Sequence, residues 1–262
     1  MSPSRAALLA RSPSLLVAIA LALFASGCTF DQMHHRSHPY ERTVELAIAP
    51  DAANRFTFAG DLADVVVTGG AVQPHAVVVV REKSPDAGRV WIASPEEDAA
   101  KGAAHLRYES LTGDDDGFID RVELWLPREV DALTITTALG DVEITDLVLA
   151  EDLAVLVDLG DVTLARVVAA HAIGVQTELG DLHLEDLRGP LRASTELGDV
   201  HLERYAGATA TVTTELGDLT LIDCDVAGPF EYGTELGDTT VRGLNAPAPV
   251  EEPRSGTDSP IL

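Results

Sequence analysis

The sequence predicts an all-β protein: a parallel β-solenoid of the single-stranded β-helix kind, with coils of about 20 residues and an irregular N-terminal β cap. Three observations predict it. Leu-Gly-Asp returns six times, with glycines at Gly140, Gly160, Gly180, Gly198, Gly217 and Gly237 and steps of 20, 20, 18, 19 and 20 residues. Within each half of a unit the apolar residues alternate with period two, the signature of a half-buried strand. No stretch of the repeat carries the 3.6-residue apolar stripe of an amphipathic helix.

From their first apolar residue the units read LTITTALGDVEI, LAVLVDLGDVTL, IGVQTELGDLHL, LRASTELGDVHL, ATVTTELGDLTL and FEYGTELGDTTV. Apolar residues fall at unit positions 1, 3, 7, 10 and 12, and Thr, Val, Ile and Leu suit a pleated surface. The Gly-Asp pair interrupts the alternation once per unit, which places a corner there. Three columns are expected to point inward. They are position 1 (Leu133, Leu153, Ile173, Leu191, Ala210, Phe230), position 7 (Leu139, Leu159, Leu179, Leu197, Leu216, Leu236) and position 12 (Ile144, Leu164, Leu184, Leu202, Leu221, Val241). Parallel pairing of successive coils at about 4.8 Å makes six rungs roughly 29 Å long. Wrapping one sheet against another covers the inner faces, which parallel sheets otherwise need helices to do.

Residues 41–132 are less regular. Strands are expected at Thr43–Ile48, Arg55–Phe58, Asp64–Thr68, Ala76–Arg81, Arg89–Ala93, His105–Glu109 and Arg121–Leu126, with Gly60-Asp61 as a degenerate corner. This region is expected to cap the solenoid, whose open end exposes unpaired strand edges. The divisions are 1–27, a signal peptide; 28–40, a lipidated tether; 41–132, the cap; 133–243, six coils; and 244–262, a disordered tail rich in Pro, Glu, Ser and Gly.

The N-terminus reads as a targeting segment. Arg5 and Arg11 supply positive charge, Leu15 to Phe24 an apolar run, and Ala25-Ser26-Gly27-Cys28 small residues before a cysteine. That order resembles the bacterial lipobox, in which the cysteine is lipidated. Ala25 stands where Leu is more usual, and the alternative is an ordinary secretory signal. Lipidation at Cys28 implies a membrane partner through the anchor and a cell-envelope location, the outer membrane in a Gram-negative cell because Thr29 follows Cys28. The other cysteine, Cys224, shares unit position 15 with Leu147, Val167, Leu187 and Tyr205, and is expected to be a buried apolar residue. With two cysteines there is no disulfide framework, so stability must come from stacking.

The chain carries 43 acidic and 18 basic residues, a formal charge of −25. Loss of Arg5 and Arg11 with the signal leaves the remainder more acidic. No basic face is available to neutralise phosphates, so nucleic acid is excluded as a partner. Cations, cationic polymers and basic protein surfaces are the compatible classes.

The acidic residues are ordered. Position 9 holds Asp141, Asp161, Asp181, Asp199, Asp218 and Asp238, and position 6 holds Ala138, Asp158, Glu178, Glu196, Glu215 and Glu235. Like charges about 5 Å apart repel by close to 1 kcal/mol per pair in water, so the ladder needs compensation. One reading makes Asp161, Asp181, Asp199, Asp218 and Asp238, with Glu178, Glu196, Glu215 and Glu235, ligands of Ca²⁺ shared between rungs. The other has each Asp accept backbone N–H groups of its own corner while the Glu side chains splay into water.

Thr112 to Glu123, TGDDDGFIDRVE, matches an EF-hand loop at Asp114, Asp116, Gly117, Ile119 and Glu123, but Thr112 replaces the first ligand and the flanks read as strands. An acidic hairpin turn is the alternative. His183 and His201 share position 11 in adjacent rungs, a metal pair or a chance pair on an exposed face. His34, His35 and His38 fall in the tether. No nucleophile elbow, P-loop, dinucleotide fingerprint or zinc-hydrolase helix motif occurs. Arg166, Arg188, Arg192, Arg204 and Arg242 are the basic residues of the coils, and none reads as placed among carboxylates, which weakens a β-helix lyase reading.

Strand, Gly-Asp-Val, strand and short turn, repeated behind a lipoprotein signal, resemble the putative adhesin domain family of bacterial envelope proteins. The resemblance covers about residues 41 to 243, is best from Leu133 onward, and includes Leu126-Pro127 before the first coil. The chain departs from it by placing Glu-Leu before Gly-Asp, where small Ser or Thr is common. The resemblance implies a β-solenoid and offers no catalytic residues. The expectation is a non-enzymatic binding or scaffold module without a cofactor, unless the acidic ladder takes calcium. Its partners would be envelope proteins or polysaccharide. The alternatives are a Ca²⁺-dependent surface adhesin and a carbohydrate-active enzyme on a β-helix.

Overall fold

A strand that alternates apolar and polar residues and then meets Gly-Asp must turn, and here each unit closes into a three-sided coil. The computed structural model describes residues 38–49, 53–85, 87–93, 103–111, 117–247 and 249–251. The N-terminal strands are β1 (Tyr40–Ala47), β2 (Arg55–Leu62), β3 (Asp64–Gly69), β4 (His75–Glu82), β5 (Gly88–Ala93), β6 (Ala104–Ser110), β7 (Gly117–Leu126) and β8 (Glu129–Val130). The first two regular coils are β9 (Ala132–Leu139), β10 (Val142–Thr145) and β11 (Val148–Leu149), then β12 (Asp152–Leu159), β13 (Val162–Ala165) and β14 (Val168–Ala169). Next come β15 (Ala172–Leu179) and β16 (Leu182–Glu185), then β17 (Leu191–Leu197), β18 (Val200–Glu203) and β19 (Ala206–Gly207). The last coils are β20 (Ala210–Leu216), β21 (Leu219–Ile222) and β22 (Asp225–Val226), then β23 (Phe230–Leu236) and β24 (Thr239–Arg242), followed by β25 (Pro249–Glu251).

Two ten-stranded sheets face each other, in the orders β1-β4-β7-β3-β10-β13-β16-β18-β21-β24 and β25-β23-β20-β17-β15-β12-β9-β2-β6-β5. Short bridges form the third side. Pairing through the coils is parallel and strictly in register, Leu139 opposite Leu159, Leu159 opposite Leu179 and Leu179 opposite Leu197. The protein is therefore a parallel β-solenoid of about six regular coils.

The seven strands expected upstream all form, and two of them add a further coil. β2 and β3 stack on β9 and β10, with Leu62 opposite Leu139 and Val65 opposite Val142. β8 returns to supply that coil's third side by pairing with β11. The degenerate corner is thus Ala63-Asp64, three residues beyond the expected Gly60-Asp61. Gly60 occupies unit position 5, where the Phe58 ring lies 2.7 Å from the place a Cβ would take. β6 and β7 pair in parallel with β2 and β3. β1, β4 and β5 then add antiparallel strands that end the stack.

The acidic segment between β6 and β7 joins two different sheets, so it closes no hairpin, and Gly117 to Glu123 lie within a strand, where an EF-hand would begin a helix. Residues 112–116 of that motif lie outside the described residues. At the C-terminal end the fold runs past the expected boundary at residue 243: Asn245 bridges to Asp225, and β25 pairs with β23. Residues 252–262 are outside the described residues.

The core is built from positions 1, 3, 10, 12, 15 and 17, whose side chains are mostly buried from the first coil to the fifth. Each buried Leu, Val or Ile contributes about 1.5–3 kcal/mol of transfer free energy. Position 15 runs Leu147, Val167, Leu187, Tyr205 and Cys224, all at most 1% exposed, so Cys224 is the buried apolar residue expected.

Position 7 is the exception. Leu139, Leu159, Leu179 and Leu197 are only half-buried, and Leu216 and Leu236 are 42% and 65% exposed. The chain is already turning at this residue, so the leucines line the corner and shield one another along the stack. Among the described residues no coil stacks above Leu236. The inward column is position 5 instead: Thr137, Val157, Thr177, Thr195, Thr214 and Thr234 are all buried. The hydroxyls are satisfied there. Thr177, Thr195, Thr214 and Thr234 donate to the carbonyls of Gly160, Gly180, Gly198 and Gly217 in the preceding coil, at 3.3, 3.1, 2.9 and 2.9 Å.

Candidate functional site: a carboxylate ridge at the first corner

The corner glycines bring the acidic columns together. Gly160, Gly180, Gly198 and Gly217 have φ of +149, +150, +151 and +150°, a region side chains rarely adopt. A Cβ on Gly198 would stand 2.1 Å from the carbonyl oxygen of Gly180. The tight corners hold the aspartates in one line along the stack. Each carboxylate then accepts a hydrogen bond from the next coil, not from its own corner. Asp64 Oδ1 accepts from the Asp141 amide at 3.0 Å, Asp141 from Asp161 at 2.9 Å, and Asp161 from Asp181 at 2.8 Å. Asp181, Asp199 and Asp218 accept from Asp199, Asp218 and Asp238 at 2.8, 2.7 and 2.8 Å. The compensation the ladder needs is this run of charge-assisted bonds, which binds coil to coil.

The position-6 acids stand beside it. Glu196, Glu215 and Glu235 are exposed and Glu178 is half-buried. Burial pushes the Glu178 carboxyl above the ordinary range, and the neighbouring charges of Asp158 and Glu196 push it the same way. Among the described residues no cation is paired with Glu178, Glu196, Glu215 or Glu235. Nor do three or more His, Cys, Asp or Glu side chains converge at metal-ligand geometry there. Asp161, Asp181, Asp199 and Asp218 each spend Oδ1 on a backbone amide.

Cys28, His34 and His35 lie outside the described residues. His38, expected in the tether, is buried at the end of the fold, its ring edge-on to Phe118 at 5.3 Å. His183 and His201 are brought side by side, ring centroids 6.2 Å apart. Among the described residues Glu82 is the sole buried carboxylate, and it pairs with Arg42 at 3.0 Å and accepts from the Gly88 amide at 2.9 Å.

A second ladder runs along the second corner. Unit position 14 reads Asp146, Arg166, Asp186, Arg204 and Asp223, all at φ between 52 and 60°. Arg166 grips Asp146 with two bonds of 2.7 and 2.8 Å, and Arg204 grips Asp186 at 2.9 and 3.2 Å while also meeting Glu185 and Glu203. The Arg166 guanidinium holds the Asp146 carboxyl below the usual range. Arg166 and Arg204 are thus placed among carboxylates, contrary to the sequence expectation, and they line an open groove of about 720 Å³. The signal was present as alternation of Asp and Arg at one unit position, beyond the apolar positions that define the repeat.

The profile of the Toastrack DUF4097 family matches residues 116–248, just over half of the chain. The chain belongs to that family. Among solved structures, the Toastrack chain is similar to a putative adhesin from Bacteroides fragilis at 12% identity and TM-score 0.45, with 82% of this chain and 98% of that one covered. A putative adhesin from Parabacteroides distasonis matches at 10% identity and TM-score 0.40, over 81% and 96% of the two chains. A putative adhesin from Parabacteroides merdae matches at 13% identity and TM-score 0.32, over 81% and 96%. No curated protein matches the chain.

Proposed function

We propose that the protein is a non-enzymatic, adhesin-like binding and scaffold module, anchored to the cell envelope through Cys28, whose acidic ridge receives a basic partner surface. The observation that carries this reading is the ridge itself. Its aspartates are locked coil to coil by amide bonds, and Glu196, Glu215 and Glu235 stand exposed with no cation of their own among the described residues. A rigid row of charges at about 4.8 Å intervals loses little conformational entropy when a complementary row binds. The anchor rests on the order of charge, apolar run, small residues and Cys28.

The test is binding of the full-length protein to a polylysine surface as salt is raised. Glu178→Gln, Glu196→Gln and Glu215→Gln together should weaken binding far more than Glu45→Gln, Glu129→Gln and Asp131→Asn, which remove the same charge elsewhere. Equal losses would show that only net charge matters. Self-association that appears only on adding Ca²⁺ would instead favour the Ca²⁺-dependent adhesin. Separately, Cys28→Ala should release the protein from the membrane fraction.

A further inference from the structure

Two successive coils carry the same pattern, His183-Leu184-Glu185 on β16 and His201-Leu202-Glu203 on β18. The strands pair in parallel with His183 opposite His201 and Glu185 opposite Glu203. Residues two apart share a face of a strand, and Leu184 and Leu202 between them are fully buried. All four polar side chains therefore stand on the outer face, at the corners of a rectangle about 4.8 by 6.6 Å. The other coils place Glu143, Thr163, Thr220 and Thr240 at the histidine position.

The geometry of this rectangle is that of an open ligand set. The imidazole centroids are 6.2 Å apart, with planes 33° from parallel. His201 Nε2 stands 3.5 Å from Glu203 Oε2, long for a hydrogen bond. It is close to the separation of about 3.3 Å between two ligand atoms that share a tetrahedral ion at about 2.0 Å. Two imidazoles on one such ion bring their centroids to about 5 Å, so the rings have about 1 Å to close. Among the described residues no three ligands converge yet, so the ion itself would complete the set by rotation of the two imidazole rings. Arg204 already holds Oε1 of both Glu185 and Glu203, which fixes both carboxylates beside the rings. A recess of about 260 Å³ joins the pair to Asp181, Asp199 and Asp218, whose charge attracts cations.

We propose that His183 and His201, with Glu203 as third ligand, form a binding site for a divalent transition-metal ion of the zinc class. Imidazole ligands separate this site from the all-oxygen chemistry that calcium prefers. The site is independent of the ridge reading, which needs no metal.

The experiment is calorimetric titration of the full chain with Zn²⁺ alone, near neutral pH. His34, His35 and His38 are changed to Gln so that the N-terminal histidines contribute nothing. One ion per chain is expected. His183→Gln or His201→Gln should each weaken binding about tenfold or more, whereas Thr163→Gln, in the same column, leaves it unchanged. Co²⁺ in place of Zn²⁺ gives a second readout, a visible four-coordinate absorption band lost in the Glu203→Gln chain. Thermal melts without metal check that each variant folds. Absence of heat, Zn²⁺ binding that survives the double His183→Gln and His201→Gln change, or displacement by equimolar Ca²⁺ would overturn the site.

Discussion

Replacing Gly198 by alanine tests the physical basis of the stack. Gly198 has φ +151°, and a Cβ there would meet the Gly180 carbonyl oxygen at 2.1 Å and its carbon at 2.6 Å. A carbon and an oxygen settle at about 3.3 Å, so the coils must part by roughly 1 Å. Three backbone N–H bonds cross that seam at the corner: Gly180 N–H to Leu197 O at 2.9 Å, Leu182 N–H to Asp199 O at 2.9 Å, and Asp199 N–H to Asp181 Oδ1 at 2.8 Å. At about 1 kcal/mol each, their loss costs about 3 kcal/mol. Holding alanine in a glycine-only conformation adds about 1–3 kcal/mol, for a total of about 4–6 kcal/mol. Coils contact only their neighbours, so the damage should be directional. Hydrogen exchange of the full chain should show protection falling across residues 199–242 and persisting across 142–165, with a matching loss in urea denaturation. A variant within about 0.5 kcal/mol of the parent, with unchanged exchange, would refute the close-approach argument.

Thr195→Val keeps the shape at position 5 but removes the hydroxyl that donates to Gly180 O at 3.1 Å; it should cost about 1 kcal/mol in urea midpoint analysis, and no change would deny the threonine ladder a role. Glu178 has a higher pKa folded than unfolded, so its ionisation opposes folding: stability from this group is present at low pH and is lost as pH rises through the window above 4.5. Glu178→Gln should therefore raise Tm at neutral pH, and the gain should vanish below about pH 4. A gain that persists into acid would show that packing, not charge, is responsible. Burial pushes the Cys224 thiol up to about 11, so iodoacetamide at mildly alkaline pH should label it only after denaturation, as peptide mass spectrometry reports.

The repeat was legible because its causes are local. Alternation of apolar residues specifies strands, and Gly-Asp specifies where they turn, so coil length, sheet class and the upstream strands could be read from the chain. The leucine column departs from the sequence expectation for a related reason. Alternation places position 7 inward, but the corner begins there, and Thr177 and Thr195, polar by composition, take the interior. Their burial depends on carbonyls that only the neighbouring coil provides. Arg166 and Arg204 do not read as paired in the sequence because their acids, Asp146 and Asp186, lie 20 and 18 residues away.

What the sequence alone determined is the period, the strand faces and the acidic columns, since each follows from side chains within one coil. Which groups meet was decided by stacking. Asp64 bonds to the Asp141 amide across 77 residues, and β8 completes a coil begun by β2. Parallel register sets residues one coil apart at about 4.8 Å, a distance no local pattern encodes.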